Sequence, residues 1–218
     1  MVERQQFQKM LDQIQQDIIK MGGLVEESID NAIESLKKQD LELAKETIQI
    51  DKKIDQLELT IEDACIQLIA TQQPAARDLR KISSSFKIIH NLERMGDYAQ
   101  SIANTTLTIG NDPLIKPLID LPRMTLIVQK MVRNSLEAFI QDNEALAKQV
   151  GETDDEVDQL HNQIFNELLL LMIKNPATIN QATHLLFISR ALERIADHAT
   201  DIAERVIYTL HGIHANLN

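Results

Sequence analysis

The chain has 218 residues, 33 acidic and 22 basic, for a formal net charge of −11. That balance excludes non-specific binding to nucleic acid or anionic lipid, whose phosphates would be repelled, and favours cations and basic partners. Aromatics are only 3% with no tryptophan, and the single cysteine, Cys65, excludes an internal disulfide and fits a reducing compartment.

The amino terminus carries Glu3, Arg4 and several glutamines but no apolar signal core. A core so poor in rings must be packed with Leu, Ile, Val, Met and Ala, which suits long helices better than sheets. In the first stretch, Leu11, Ile14, Ile18, Met21 and Val25 recur at three- and four-residue steps. Ile54, Leu57, Ile61, Ile66 and Ile69 do so in the second, with one slip. Proline removes a backbone donor and clashes with the preceding turn, so Pro74, the cluster Pro113, Pro117 and Pro122, and Pro176 mark helix starts and breaks. The spacing predicts an all-α chain of six long antiparallel helices near 3–37, 41–71, 75–108, 120–141, 144–173 and 178–212, with no strand. Gly22-Gly23 and Gly151 are weak points in the first and fifth of these, each costing roughly 1 kcal/mol against alanine and marking candidate kinks. The longest apolar run, Leu168 to Ile173, is far short of the ~20 residues that cross a bilayer. A cytoplasmic protein without membrane insertion is expected.

The two halves repeat one another. Leu92-Glu93-Arg94-Met95-Gly96-Asp97-Tyr98-Ala99 matches Leu192-Glu193-Arg194-Ile195-Ala196-Asp197-His198-Ala199 at an offset of 100 residues. Asp51 to Leu57 matches Asp154 to Leu160, and Asn31 and Glu34 match Asn134 and Glu137, at an offset of 103. A constant offset through two helices followed by one step at a loop is the signature of a duplicated unit. The predicted organisation is therefore a tandem repeat of two three-helix bundles, 1–110 and 123–218, joined by a linker at 111–122.

Acids stand four residues apart at equivalent places: Asp51/Asp55 and Glu93/Asp97 in the first unit, Asp154/Asp158 and Glu193/Asp197 in the second, with Asp201 one turn further on. Such residues share a helix face, where like charges destabilise by roughly 0.2–0.5 kcal/mol unless a cation bridges them. If the second and third helices of each unit face each other, four carboxylates converge. Oxygen ligands without sulfur suit magnesium, manganese, calcium or iron; zinc is less natural, since His198 is the lone imidazole in the motif. The opposing explanation is a solvated acidic face, with Arg94 and Arg194 pairing Asp97 and Asp197 along the helix. Phe86 and Leu186, two turns before Glu93 and Glu193, place each pair on the continuation of an apolar stripe instead.

Little else in the chain suggests chemistry. The stretch Gln72 to Arg80, with Pro74 opening a helix and Asp78 complementing its dipole, reads better as a helix start than as an anion site. Ser83-Ser84-Ser85 reads as packing or turn-to-turn bonding, and Cys65 as a buried small hydrophobe. No Glu has a His three residues later, which argues against a di-iron oxidase.

Taken together, the tandem three-helix repeat, Gln72-Gln73-Pro74-Ala75-Ala76-Arg77-Asp78-Leu79-Arg80, and the Leu-Glu-Arg-x-x-Asp elements at 92–97 and 192–197 closely resemble the PhoU family of phosphate-system regulators over nearly the whole chain. The resemblance implies a non-enzymatic adaptor, a negative regulator of the phosphate-starvation response linking the ATPase subunit of a phosphate ABC transporter to a sensor histidine kinase. It also implies an oligomer, expected here as a homodimer. Carried over by position, it puts metal ions (iron, manganese, magnesium or zinc) on Asp51, Asp55, Glu93 and Asp97, and on Asp154, Asp158, Glu193, Asp197 and Asp201. Ser101 stands where the second unit has Asp201, which implies a weaker or smaller first cluster. A metal-dependent hydrolase, a metal store and a plain helical scaffold are the alternatives.

Overall fold

The computed structural model describes residues 2–217; Met1 and Asn218, at the outer ends of the two predicted domains, lie outside the described residues. Six helices follow in order: α1 (Val2–Lys38), α2 (Leu41–Gln72), α3 (Ala76–Ile109), α4 (Asp120–Gln141), α5 (Glu144–Lys174) and α6 (Ile179–His211). There is no strand among the described residues, and every helix end falls within one residue of expectation.

Local chemistry explains the ends. Asp40 caps α2 by accepting from the backbone N–H of Glu42 at 3.1 Å and of Leu43 at 3.0 Å, while Asn143 caps α5 by accepting from Leu146 N–H at 3.1 Å. The residue before each cap, Gln39 (φ 52°) and Asp142 (φ 53°), is left-handed, so the same turn is built twice. Gln73, Pro74 and Ala75 separate α2 from α3. In the second unit Asn175 alone precedes a 3-10 turn at Pro176–Thr178, which leads into α6. Those extra residues account for the change of offset from 103 to 100.

Connections this short force neighbouring helices to run antiparallel. Helices α1, α2 and α3 pack together, as do α4, α5 and α6; the two trios meet along α3 against α6 and α1 against α4. Ile18, Met21, Val25 and Ile29 of α1 are fully buried, as are Leu92, Met95, Ala99 and Ala103 of α3 and their counterparts Leu192, Ile195, Ala199 and Ala203 of α6. Each large aliphatic side chain so buried contributes roughly 1.5–3 kcal/mol. The buried residues form one continuous core across both units.

Neither candidate kink breaks its helix. At Gly22 an added Cβ would lie 2.2 Å from Leu136 Cδ1, so the glycine marks the close approach of α1 to α4. At Gly151 it would lie 2.8 Å from Leu217 Cβ and 2.9 Å from that residue's carbonyl oxygen, so this glycine seats the carboxy-terminal segment on α5. Between the units, Ser84 Oγ lies 2.9 Å from Thr209 Oγ1, and Ser85 bonds back to the Lys81 carbonyl at 3.1 Å, the packing role expected of that run. Cys65 is fully buried, and desolvation first, with Glu62 adding to it, pushes its thiol up to about 12, so it is inert.

Candidate metal centres

Helices α2 and α3 bring the first four acids together. Asp51 is only 4% exposed. Its Oδ2 accepts from Gln100 Nε2, while its Oδ1 is buried without a partner. Burial first, then the charges of Asp55 and Asp97, raise its pKa to about 6 despite the Gln100 bond. Glu93 is raised to about 7, by burial first and then by Asp97 and Glu58, with Arg94 opposing. Asp55 is raised by burial and Asp97. Gly96 permits this approach: an added Cβ would lie 3.0 Å from both Asp51 Oδ1 and Ile54 Cδ1.

The second cluster repeats the first on α5 and α6. Asp154 and Glu193 are each 8% exposed. Burial, then Asp197, Asp158 and Glu193, raise Asp154 to about 7. Gln100 has Thr200 as its counterpart, too short to reach across, and Thr200 Oγ1 is buried without a partner. Glu193 and Asp197 are also raised, burial again leading. Asp154, Asp158 and Asp197 line a cleft of about 500 Å³ together with Lys148, Gly151 and Leu217.

The salt-bridge explanation accounts for part of the motif. Arg94 Nη1 lies 2.5 Å from Asp97 Oδ2, and Arg194 Nη1 lies 3.0 Å from Asp197 Oδ2. Asp51 Oδ1, Glu93 Oε2 and Glu193 Oε2 are nevertheless buried without a hydrogen-bond partner; Glu93 Oε2 has only His90 Nδ1 at 3.9 Å and Glu193 Oε2 only Arg194 Nε at 3.7 Å. Leaving such a group unsatisfied costs about 1–3 kcal/mol, more when it is charged. Chemically, the donor set suits a divalent cation that prefers oxygen. Asp201 is set apart by its exposure: it lies 3.7 Å from His198 Nδ1, and that imidazole also meets Asn91 Oδ1 at 3.0 Å and the Tyr98 ring at 5.8 Å between centroids. The imidazole of the motif thus sits at the junction of the two units.

Residues 18–106 and 121–206 each match the PhoU domain, which covers most of the chain. The chain belongs to the PhoU family. It is 46% identical over 204 residues to the phosphate-specific transport system accessory protein PhoU homolog of Aquifex aeolicus, covering 94% of this chain and 92% of that one. The crystal structure of PhoU from Pseudomonas aeruginosa superposes with a TM-score of 0.90 at 35% identity, covering 95% of this chain and all of the other. That of the phosphate transport system regulatory protein PhoU from Streptococcus pneumoniae gives 0.90 at 30% identity, covering 96% and 99%. PhoU proteins are regulatory and accessory proteins of phosphate transport and not enzymes, and their fold is the two-domain helical repeat found here. No described helix of this PhoU chain is long and apolar enough to cross a membrane.

One group beside the first cluster escaped the sequence reading. Among the described residues, Glu58, His90 and Glu93 are the trio whose ligand atoms all lie within 4.8 Å of one another. Its signal in the sequence is His-x-x-Glu on α3, the reverse of the Glu-x-x-His order of di-iron sites, with Glu58 two turns beyond Asp51 on α2.

Proposed function

We propose that this protein is a cytoplasmic negative regulator of phosphate uptake and of the phosphate-starvation response. It acts as an adaptor between the ATPase subunit of a phosphate ABC transporter and a sensor histidine kinase, as a homodimer carrying metal ions on two carboxylate clusters. The observation that supports the metal reading is the recurrence, in both units, of buried carboxylate oxygens without a hydrogen-bond partner. Asp51, Asp55, Glu93 and Asp97 hold the first set of ions, and Asp154, Asp158, Glu193 and Asp197 the second, with Asp201 able to join from the rim. Iron, manganese, magnesium or zinc would neutralise the acids and fix α2 against α3 and α5 against α6, shaping the acidic surface that docks on basic patches of the partners.

In cells without a second copy, deleting the gene is expected to derepress phosphate-responsive transcription under phosphate excess, with repression restored by the wild-type gene. Unchanged phosphate uptake and transcription after deletion would sink the adaptor reading. The metal reading has its own readout. Elemental mass spectrometry of the purified protein should find bound metal that is lost in a variant carrying Glu93→Gln, Asp97→Asn, Glu193→Gln and Asp197→Asn, checked as folded by circular dichroism. Equal metal content in the two proteins would rule the clusters out.

A further inference from the structure

We propose that Glu58, His90 and Glu93 form a separate site for a divalent ion of the zinc class at the edge of the first carboxylate cluster, a site the second unit lacks. Glu58 comes from α2, and His90 and Glu93 from adjacent turns of α3. His90 Nδ1 lies 3.6 Å from Glu58 Oε1 and 3.9 Å from Glu93 Oε2. Ligand atoms around a tetrahedral zinc at bond lengths near 2.0–2.1 Å stand about 3.4 Å apart, so small side-chain rotations close the trio on an ion. Glu93 Oε2 is buried and has no hydrogen-bond partner, so nothing protein-based competes for that lone pair. His90 is 61% exposed, which leaves a fourth position open to water. One imidazole with two carboxylates selects a borderline ion over magnesium or calcium, which take oxygen alone.

The duplication supplies an internal comparison. At the positions equivalent to Glu58 and His90 the second unit has His161 and Arg190. Arg190 Nη1 lies 2.6 Å from Glu193 Oε1, and His161 Nδ1 turns to Ser189 Oγ at 2.8 Å. A guanidinium has no lone pair to give a metal, and here it binds one oxygen of Glu193, whereas Glu93 has the imidazole of His90 in the equivalent place. The site rests on the cluster reading only through the shared Glu93. It makes the two units unequal, one carrying an imidazole-ligated ion and the other not.

The test is titration of the metal-free protein with Zn²⁺, and with Co²⁺ as a visible-absorption probe, in wild type, His90→Gln, Glu58→Gln, the double variant Asp51→Asn/Asp55→Asn and the double variant Asp154→Asn/Asp158→Asn. Wild type should bind a Zn²⁺ that shifts the His90 ring proton resonance. His90→Gln and Glu58→Gln should weaken that binding by about tenfold or more, while both aspartate double variants retain it. Retention there would separate this site from the carboxylate clusters. Wild-type affinity in His90→Gln and Glu58→Gln, an unmoved His90 resonance, or loss of the ion in Asp51→Asn/Asp55→Asn would overturn the proposal. His90 lies on the surface and Glu58 is only part-buried, so the single variants should fold, as circular dichroism would verify.

Discussion

Stripped of metal, the protein is expected to lose stability as the pH rises from 5 to 8, its melting temperature falling on the order of 10 °C. Asp51 is raised to about 6, and Glu93 and Asp154 to about 7, all by burial first and neighbouring acids second. In the unfolded chain these groups ionise near 4. Between the two values the folded protein holds protons that the unfolded chain has released, so raising the pH favours unfolding throughout that window. Below it both states are protonated and the acids sit neutral in the helix interfaces. Above it both are ionised, and the folded state carries the full cost of crowding desolvated charges, on the order of a few kcal/mol in all. Asp154→Asn removes the acid most displaced from its ordinary value and leaves the shape nearly unchanged. It should raise the metal-free melting temperature at pH 7.5 by several degrees, about 5 °C, and flatten the pH slope, with little effect at pH 5. Saturating Mn²⁺ should reverse the order, stabilising wild type more than the variant, because metal competes with protons for the same oxygens. Thermal melts of the two proteins across pH, with and without metal, decide it. A flat wild-type profile, or a variant that tracks wild type at every pH, would mean the acids are well solvated.

The helices were legible because their ends are written in local chemistry. Asp40, Asn143, Pro74 and Pro176 act on the backbone within a few residues, whatever the rest of the chain does. The convergence of Asp51, Asp55, Glu93 and Asp97 was legible for a different reason: the duplication repeated each pair, and repetition separates a constrained position from a solvated one. What escaped depends on contacts between helices. Glu58 and His90 lie on different helices, 32 positions apart, and no spacing rule within one helix connects them. Gly22 and Gly151 read as weak points because helix propensity counts only the backbone, whereas here each glycine makes room for Leu136 or Leu217 from elsewhere. Asp201 continues the face of Asp197 by sequence. In the fold, however, that turn of α6 lies beside the junction with α3, where His198 meets it. Gln100 against Thr200 is a subtler case, since a single side-chain length decides which unit gives its buried aspartate a donor.

Replacing Phe139 by alanine is expected to cost about 3–5 kcal/mol and to lower a single melting transition on the order of 10 °C. Phe139, at 1% exposure, is the largest fully buried side chain among the described residues, and its counterpart in the first unit, Leu36, is fully buried too. Its ring also joins the units: Lys81 Nζ of α3 stands 5.7 Å from the ring centroid and 3.0 Å from Asp142 Oδ1 at the end of α4, and Arg77 reaches the same carboxylate at 3.3 Å. Truncation therefore leaves a cavity, removes a cation–π contact of about 0.5–1 kcal/mol, and loosens the end of α4 from α3. At the opposite interface Arg133 and Gln129 of α4 hold Glu26 of α1. One continuous core and polar ties along both junctions join the two trios. Leu36→Ala, in the other unit, should accordingly depress the same transition, by about 2–5 kcal/mol. Differential scanning calorimetry of the two variants gives the answer. Two endotherms, one of them unmoved in each variant, would show halves that fold independently. A single endotherm displaced by either substitution means that the Asp51 and Asp154 clusters stand on the same cooperative core, so damage near one weakens the other.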